Sequence, residues 1–229
     1  MADAARTLAR QMDRLSDLNR LTGTQRNDVL HGTAQDDGIL GQAGNDKLYG
    51  GAGSDFLLGG TGDDSLLGGA GTDFLFGATG NDRLWGQAGQ DVLDGGTGND
   101  TLWGDVGNDR LTDLSGSNIL RGGAGNDLLT AGAGRDALWG DGGNDTMAGG
   151  GGHDTLRGGS GNDRLLGGAG EFGSRIGLDN AWMLNAIKAV GNYGEVFERN
   201  VGGGSQLKLQ RGLNGLWSKG GLMYALPFR

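Results

Sequence analysis

The chain has 229 residues, of which 53 are glycine and 1 is proline, with no cysteine and a formal charge of −9. The absence of cysteine excludes a disulfide framework and thiolate metal sites. Near-absence of proline, with no three-residue glycine period, excludes collagen, so this much glycine in an acidic chain leaves disorder or a fibrous repeat.

Residues 4–21 place Leu8, Met12, Leu15, Leu18 and Leu21 at helical spacing, with Arg and Asp between them. This predicts a short amphipathic helix within 1–22 that caps the open end of a repeat array, because solenoids must cover their terminal edges. A stub of a larger preceding domain is the alternative. MADAARTLARQMDRLSDLNRL contains no signal-peptide apolar core, and no run approaches the roughly 18 apolar residues of a membrane span. Export would need a signal elsewhere than the N-terminus.

From residue 23 to 170 the sequence repeats every nine residues. Aspartate occupies Asp28, Asp37, Asp46, Asp55, Asp64, Asp73, Asp82, Asp91, Asp100 and Asp109, then Asn118 intervenes, then Asp127, Asp136, Asp145, Asp154 and Asp163 follow. Two residues after each slot stands Leu, except at Ile39 and Met147, and from Gly44 to Gly161 the residue two before each slot is Gly. The unit is G-G-x-G-x-D-x-L-x, numbered here as positions one to nine. Glycine disfavours helix by about 1 kcal/mol relative to alanine, so the unit reads as a six-residue glycine turn and a three-residue strand with its leucine inward. One leucine per nine residues makes a core only if units stack.

Position three alternates between Ala43, Thr61, Thr79, Thr97, Ser115, Ala133 and Ala52, Ala70, Ala88, Val106, Ala124. The structural turn is therefore 18 residues, and the array makes eight turns, roughly 38 Å long at about 4.8 Å per layer.

Stacking sets Asp46 over Asp64 and Asp82, where like charges repel by roughly 1 kcal/mol or more per pair. Residues 23–170 hold 21 Asp against 8 Lys and Arg, a net of −13. A hard divalent cation between layers removes the repulsion. Carboxylates and glycine-loop carbonyls are the oxygen donors calcium prefers, whereas magnesium demands a tighter octahedral site and keeps its waters.

GGAGNDLLT, GGAGSDFLL, GGTGNDTLW and GGSGNDRLL resemble the haemolysin-type calcium-binding nonapeptide of the repeats-in-toxin family. The resemblance implies an all-β, right-handed parallel β-roll with Ca2+ between the loops of successive turns. It also implies a secreted, extracellular protein exported through a type I apparatus, unfolded in low calcium and folded outside the cell. The metal ligands it implies are Asp46, Asp55, Asp64, Asp73, Asp82, Asp91, Asp100, Asp109, Asp127, Asp136, Asp145, Asp154 and Asp163. With them go the carbonyls of the glycine run, represented by Gly44, Gly53, Gly62, Gly71, Gly80, Gly89, Gly98, Gly107, Gly125, Gly134, Gly143, Gly152 and Gly161. Asp28 and Asp37 follow Arg26 and Gln35 in place of that glycine and fit the pattern poorly. The unit 113–121, DLSGSNILR, replaces its glycine pair by Asp113 and Leu114 and its ligand by Asn118, which predicts a weak or missing calcium and two sub-blocks of unequal stability.

One residue past each inward leucine, Tyr49, Leu67, Trp85, Trp103, Arg121, Trp139 and Arg157 recur at 18-residue spacing. Cross-layer stacking is the favoured reading of this column, a binding ridge the other. Thr61, Thr79 and Thr97 resemble a short version of the threonine files of ice-binding rolls. His31 and His153 read as surface residues. No nucleophile–base pair, phosphate loop or basic nucleic-acid patch is present, so no catalytic residue is assigned.

Residues 171–229 change character, with 4 acids against 7 bases. VGNYGEVFERNVG and RGLNGLWSKGGLMYA resemble the C-terminal end of the periplasmic solute-binding protein of general L-amino-acid ABC importers. AWMLNAIKAVGNYGEVFERN is predicted as one helix or a broken pair and LKLQRGLNGLWSKG as another helix, giving a mainly helical tail. Three origins stay open: a natural fusion that caps the roll, a C-terminal secretion signal, or a cloning junction, EFGS being what two adjoining restriction sites encode. The leading expectation is a non-enzymatic, secreted calcium-binding module, with an importer component or an ice- or surface-binding roll as alternatives.

Overall fold

The x-Leu-x alternation produces strands that bury one residue in two, and those strands stack in parallel at an offset of 18 residues. The computed structural model describes residues 19–168 and, beyond them, the backbone of the strands Arg175–Gly177, Glu195–Val201, Gly204–Gln210, Leu216–Lys219 and Leu222–Ala225. Odd and even units segregate into two sheets. In one, Leu48, Leu66, Leu84, Leu102, Leu120, Leu138 and Leu156 lie in consecutive register. In the other, Ile39, Leu57, Leu75 and Leu93 do the same. The two columns form one buried cluster in which nearly every member is fully inaccessible to water. This is a parallel β-solenoid of about eight turns, 18 residues each. Among the described residues there is no helix, and none that could cross a membrane.

The strands are longer than the sequence pattern suggested. Thr101–Val106 runs over six residues, positions seven to three of the next unit, and Gly51 and Ala52 still pair with Gly69 and Ala70. Position one points inward beside the leucine, and with no side chain it continues the ladder instead of turning. Only positions four to six form the turn.

The array also begins earlier than its first aspartate. Asn19–Thr22 is a strand, with Asn19 paired to Asp37 and Leu21 to Ile39. The helix expected over 4–21 is therefore corrected at its end, because Leu21 obeys the nine-residue period and gains burial against the leucine column. Residues 1–18 lie outside the described residues.

The helical tail is corrected where the tail is described. Glu195–Val201 and Gly204–Gln210 form an antiparallel pair, and Leu216–Lys219 pairs with Leu222–Ala225. The alternation Gln206, Leu207, Lys208, Leu209 has period two, and the glycines after Val201 suit a tight hairpin connection. These local features outweigh the helical spacing. Arg175–Gly177 extends one sheet in parallel, while Glu195–Val201 pairs antiparallel with Arg164–Leu166 and closes the other sheet's last parallel edge.

Candidate metal centre

Each slot aspartate from Asp46 to Asp163 is buried, and its two carboxylate oxygens have different fates. Oδ1 accepts the backbone N–H of the slot residue one turn earlier: Asp28 donates to Asp46 at 2.8 Å, Asp46 to Asp64 at 2.7 Å, Asp64 to Asp82 at 2.7 Å. Odd slots do the same, from Asp37 through Asp55, Asp73 and Asp91 to Asp109. The roll thus carries two carboxylate ladders, one in each set of loops.

Oδ2 has no hydrogen-bond partner in any of the 13 slot aspartates from Asp46 to Asp163, nor in Asp113. A buried anionic oxygen without a donor is strongly disfavoured. The glycine at position one creates the space it faces. A Cβ built on Gly41 would meet Asp46 Oδ2 and lie 2.5 Å from the Gly59 carbonyl oxygen. On Gly104 it would meet Asp109 Oδ2 and lie 2.6 Å from the Gly122 carbonyl. A carboxylate oxygen from one turn and a peptide oxygen from the next therefore converge where no side chain fits. Donors that are all oxygen, anionic and neutral together, fit calcium. Among the described residues no three His, Cys, Asp or Glu side chains cluster.

Positions two and four shape the loop. Gly71, Gly89 and Gly107 at position four have φ of 138°, 149° and 150°, closed to other residues. A Cβ on Gly62 would strike the Gly44 carbonyl, so the carbonyls of the predicted glycines point along the stack at the next turn's glycine. Position two lies at positive φ in most turns, and five non-glycines tolerate it: Gln42, Ala78, Gln87, Asp105 and Asp141, at 70–82°.

Burial, the largest cause, raises Asp55, Asp82, Asp91 and Asp145 to about 7 and Asp64, Asp73 and Asp109 to about 6. The N–H donated to Oδ1 opposes the shift, and carboxylates one turn away add to it for Asp82, Asp91 and Asp145. At neutral pH the stack resists holding all its negative charge.

The aspartates that fitted the pattern poorly are built differently. Asp28 Oδ2 accepts from Thr24 N–H at 2.6 Å and Thr24 Oγ1 at 2.9 Å, and Asp37 Oδ2 from Thr33 N–H at 2.6 Å and Oγ1 at 3.0 Å. Threonine at position two gives these carboxylates protein donors. Asn118 keeps the ladder, accepting from Asp100 N–H at 3.0 Å, while its Nδ2 donates to the Ser115 carbonyl at 3.2 Å. Only the even file of carboxylates is interrupted; Asp109, Asp127 and Asp145 continue the odd one.

Sequence reading missed a second polar ladder at position five. Asn45 accepts from Asp63 N–H, Asp63 from Asn81, Asn81 from Asn99 and Asn99 from Ser117. The recurring Asn-Asp pair was its signal. In the outward column, Trp85 and Trp103 stack at 4.7 Å, and His31 stacks on Tyr49 at 4.5 Å. Arg121 bridges to Asp141. Thr79 and Thr97 hydroxyls face the Gly60 and Ala78 carbonyls.

A segment of 59 residues is 61% identical to the general L-amino acid-binding periplasmic protein AapJ of Rhizobium johnstonii, covering 26% of this chain and 17% of that protein. The glutamate/glutamine/aspartate/asparagine-binding protein BztA of Rhodobacter capsulatus is 59% identical over 59 residues, 26% of this chain and 18% of its own. The chain spans under a fifth of the length of these curated relatives. The model of the RTX calcium-binding nonapeptide repeat (4 copies) matches residues 22–57, 49–84, 76–111, 112–147 and 139–171. Since those segments tile 150 residues of the 229 with the same period that sets the ladders, the chain belongs to the family of RTX calcium-binding nonapeptide repeat proteins.

Proposed function

We propose that the protein is a non-enzymatic calcium-binding module whose roll folds as calcium enters between successive turns, and that it works outside the cell after type I export. The observation that carries this reading is the pair of files of buried Oδ2 atoms without donors. Asp46 to Asp109 and Asp127 to Asp163 would hold the ions. Carbonyls at positions one and four, including Gly44, Gly53 and their repeats, would complete each shell. Calcium would supply the positive charge that lets carboxylates on successive turns remain ionised together.

Metal that binds the stack and not the chain stabilises the fold by mass action. Each ion needs two neighbouring turns already formed, so filling is cooperative. Adhesion or contact with a cell surface suits such a module, and the stacked Trp85 and Trp103 strengthen the roll itself. The amino-acid-binding activity in the relatives' names is not carried over, because this chain covers under a fifth of them.

Far-UV circular dichroism through a calcium titration tests the reading, with a magnesium titration and a truncation after Gly170 in parallel. A cooperative coil-to-β transition with calcium alone supports it. A spectrum already β-rich in chelator at neutral pH, or one indifferent to calcium, refutes it.

A further inference from the structure

The loop 113–118 departs from the repeat in both its first glycines and its aspartate, and the structure gives those departures a common geometry. Elsewhere the nearest neighbours of a position-one glycine are its own loop's aspartate Oδ2 and, in most turns, the position-one carbonyl of the next turn. At Gly95 the partner from the next turn is Asp113 Oδ2, and Asp100 Oδ2 lies 2.7 Å from the same Cβ position. A side-chain carboxylate stands where a peptide carbonyl stands in neighbouring turns.

Leu114 explains the exchange. Position two ordinarily lies at positive φ, but neither Leu114 nor Gly132 above it does. A branched side chain avoids that conformation, so the loop follows a different path, and Leu114 is left 60% exposed. Asp113 is fully buried; its Oδ1 accepts from Ser115 N–H at 3.2 Å, and its Oδ2 has no partner. Asp100 Oδ2, also buried, has none either. Two unpartnered carboxylate oxygens are thus aimed into one space, while Asn118 has turned its amide away to Ser115.

We infer that Asp113 is an additional calcium ligand, which with Asp100 holds an ion between the turns, in the space beside Gly95. The inference rests on the calcium-binding reading above and gives this unit a ligand at Asp113, where the sequence showed only a loss. The site beside Gly95 thus carries two carboxylates where neighbouring turns carry one and a peptide carbonyl. The interruption lies in the next layer, where the slot is Asn118 and the residue paired with Asp113 on the following turn is Ala131, which has no carboxylate.

The test counts calcium ions on the full-length chain by native mass spectrometry and calorimetric titration, with circular dichroism in saturating calcium as the check on folding. D113N keeps the size of the side chain, and D113G restores the glycine of the neighbouring loops. D113N, which brings an amide to the space beside Asp100 Oδ2, is expected to bind one ion fewer than the wild type, whereas D113G, which returns the single-carboxylate site of the neighbouring loops, is expected to keep the count and bind that ion more weakly. D113N, folded and with the wild-type ion count and affinity, overturns the inference and leaves a proton shared between Asp100 and Asp113. If D113N does not fold, D113G decides by calorimetry, and a titration unchanged from the wild type overturns the inference. A wild-type chain that binds no calcium instead refutes the family-level reading, which separates the two failures.

Discussion

A slot aspartate does two jobs with two oxygens, and substitutions can separate them. In Asp82, Oδ1 accepts the Asp64 N–H and Oδ2 has no donor. D82N keeps an acceptor for the ladder but brings an amide to the cation space, as Asn118 does. It should lose one calcium and shift the folding midpoint to higher calcium. D82A should lose the ion and the ladder bond, lowering stability by about a further 1 kcal/mol; calcium titrations followed by urea melts distinguish the two. Backbone strain gives a second pair. Ala78 at φ 82° should gain roughly 0.5–1 kcal/mol on replacement by glycine, whereas G89A, at φ 149° with its Cβ directed onto the Gly71 carbonyl, should prevent the calcium-loaded roll from forming. Melting curves in saturating calcium show either change.

At the scale of the strand, leucine burial competes with carboxylate repulsion. Burying each leucine contributes about 1.5–3 kcal/mol. Unit charges one layer apart, about 5 Å, repel by about 3 kcal/mol at an effective dielectric near 20. The terms are of equal size, so the leucine column alone leaves the stack near balance and the loops decide the outcome. L84A, in the middle of the roll, should cost about 2–5 kcal/mol with calcium bound. W103A, which breaks the stack on Trp85, should cost about 1 kcal/mol; if that column were instead a contact surface, W103A would leave the melt unchanged.

For the whole molecule, the raised carboxyl groups fix the direction of the pH response. Asp55, Asp82, Asp91 and Asp145 sit near 7 in the folded stack and near 3.9 in the unfolded chain, so the folded state binds more protons between those values. Stability without metal therefore falls as pH rises from about 4 to about 7. In chelator, β-structure should grow on acidification from pH 7.5 to 5 and fade on return. The calcium needed for folding should rise as pH falls through 7, because protons compete for the same oxygens. A roll equally ordered in chelator at both pH values would contradict this. The −13 charge of residues 23–170 also predicts an expanded chain without calcium that contracts with added salt.

The nine-residue period, the 18-residue turn, the leucine column and the aspartate files were legible in the sequence, because each is a property of one residue type at a fixed spacing and stacking repeats it at every layer. Asp28 and Asp37 were legible as exceptions from Arg26 and Gln35, but not that Thr24 and Thr33 supply their donors. Asn19 and Leu21 were hidden by a helical spacing that local pattern cannot tell from one more strand, and only pairing with Asp37 and Ile39 settles it. The same holds for Glu195–Val201, whose pairing with Arg164–Leu166 decides strand over helix. Asp113 looked like a loss because sequence assigns it to the unit 113–121. Only the stacked structure brings it to Asp100, thirteen residues back along the chain, because contacts across a turn depend on the path of both loops. Spacing therefore determined which residues recur together; the tertiary structure decided which oxygens keep a donor and which are left for a cation.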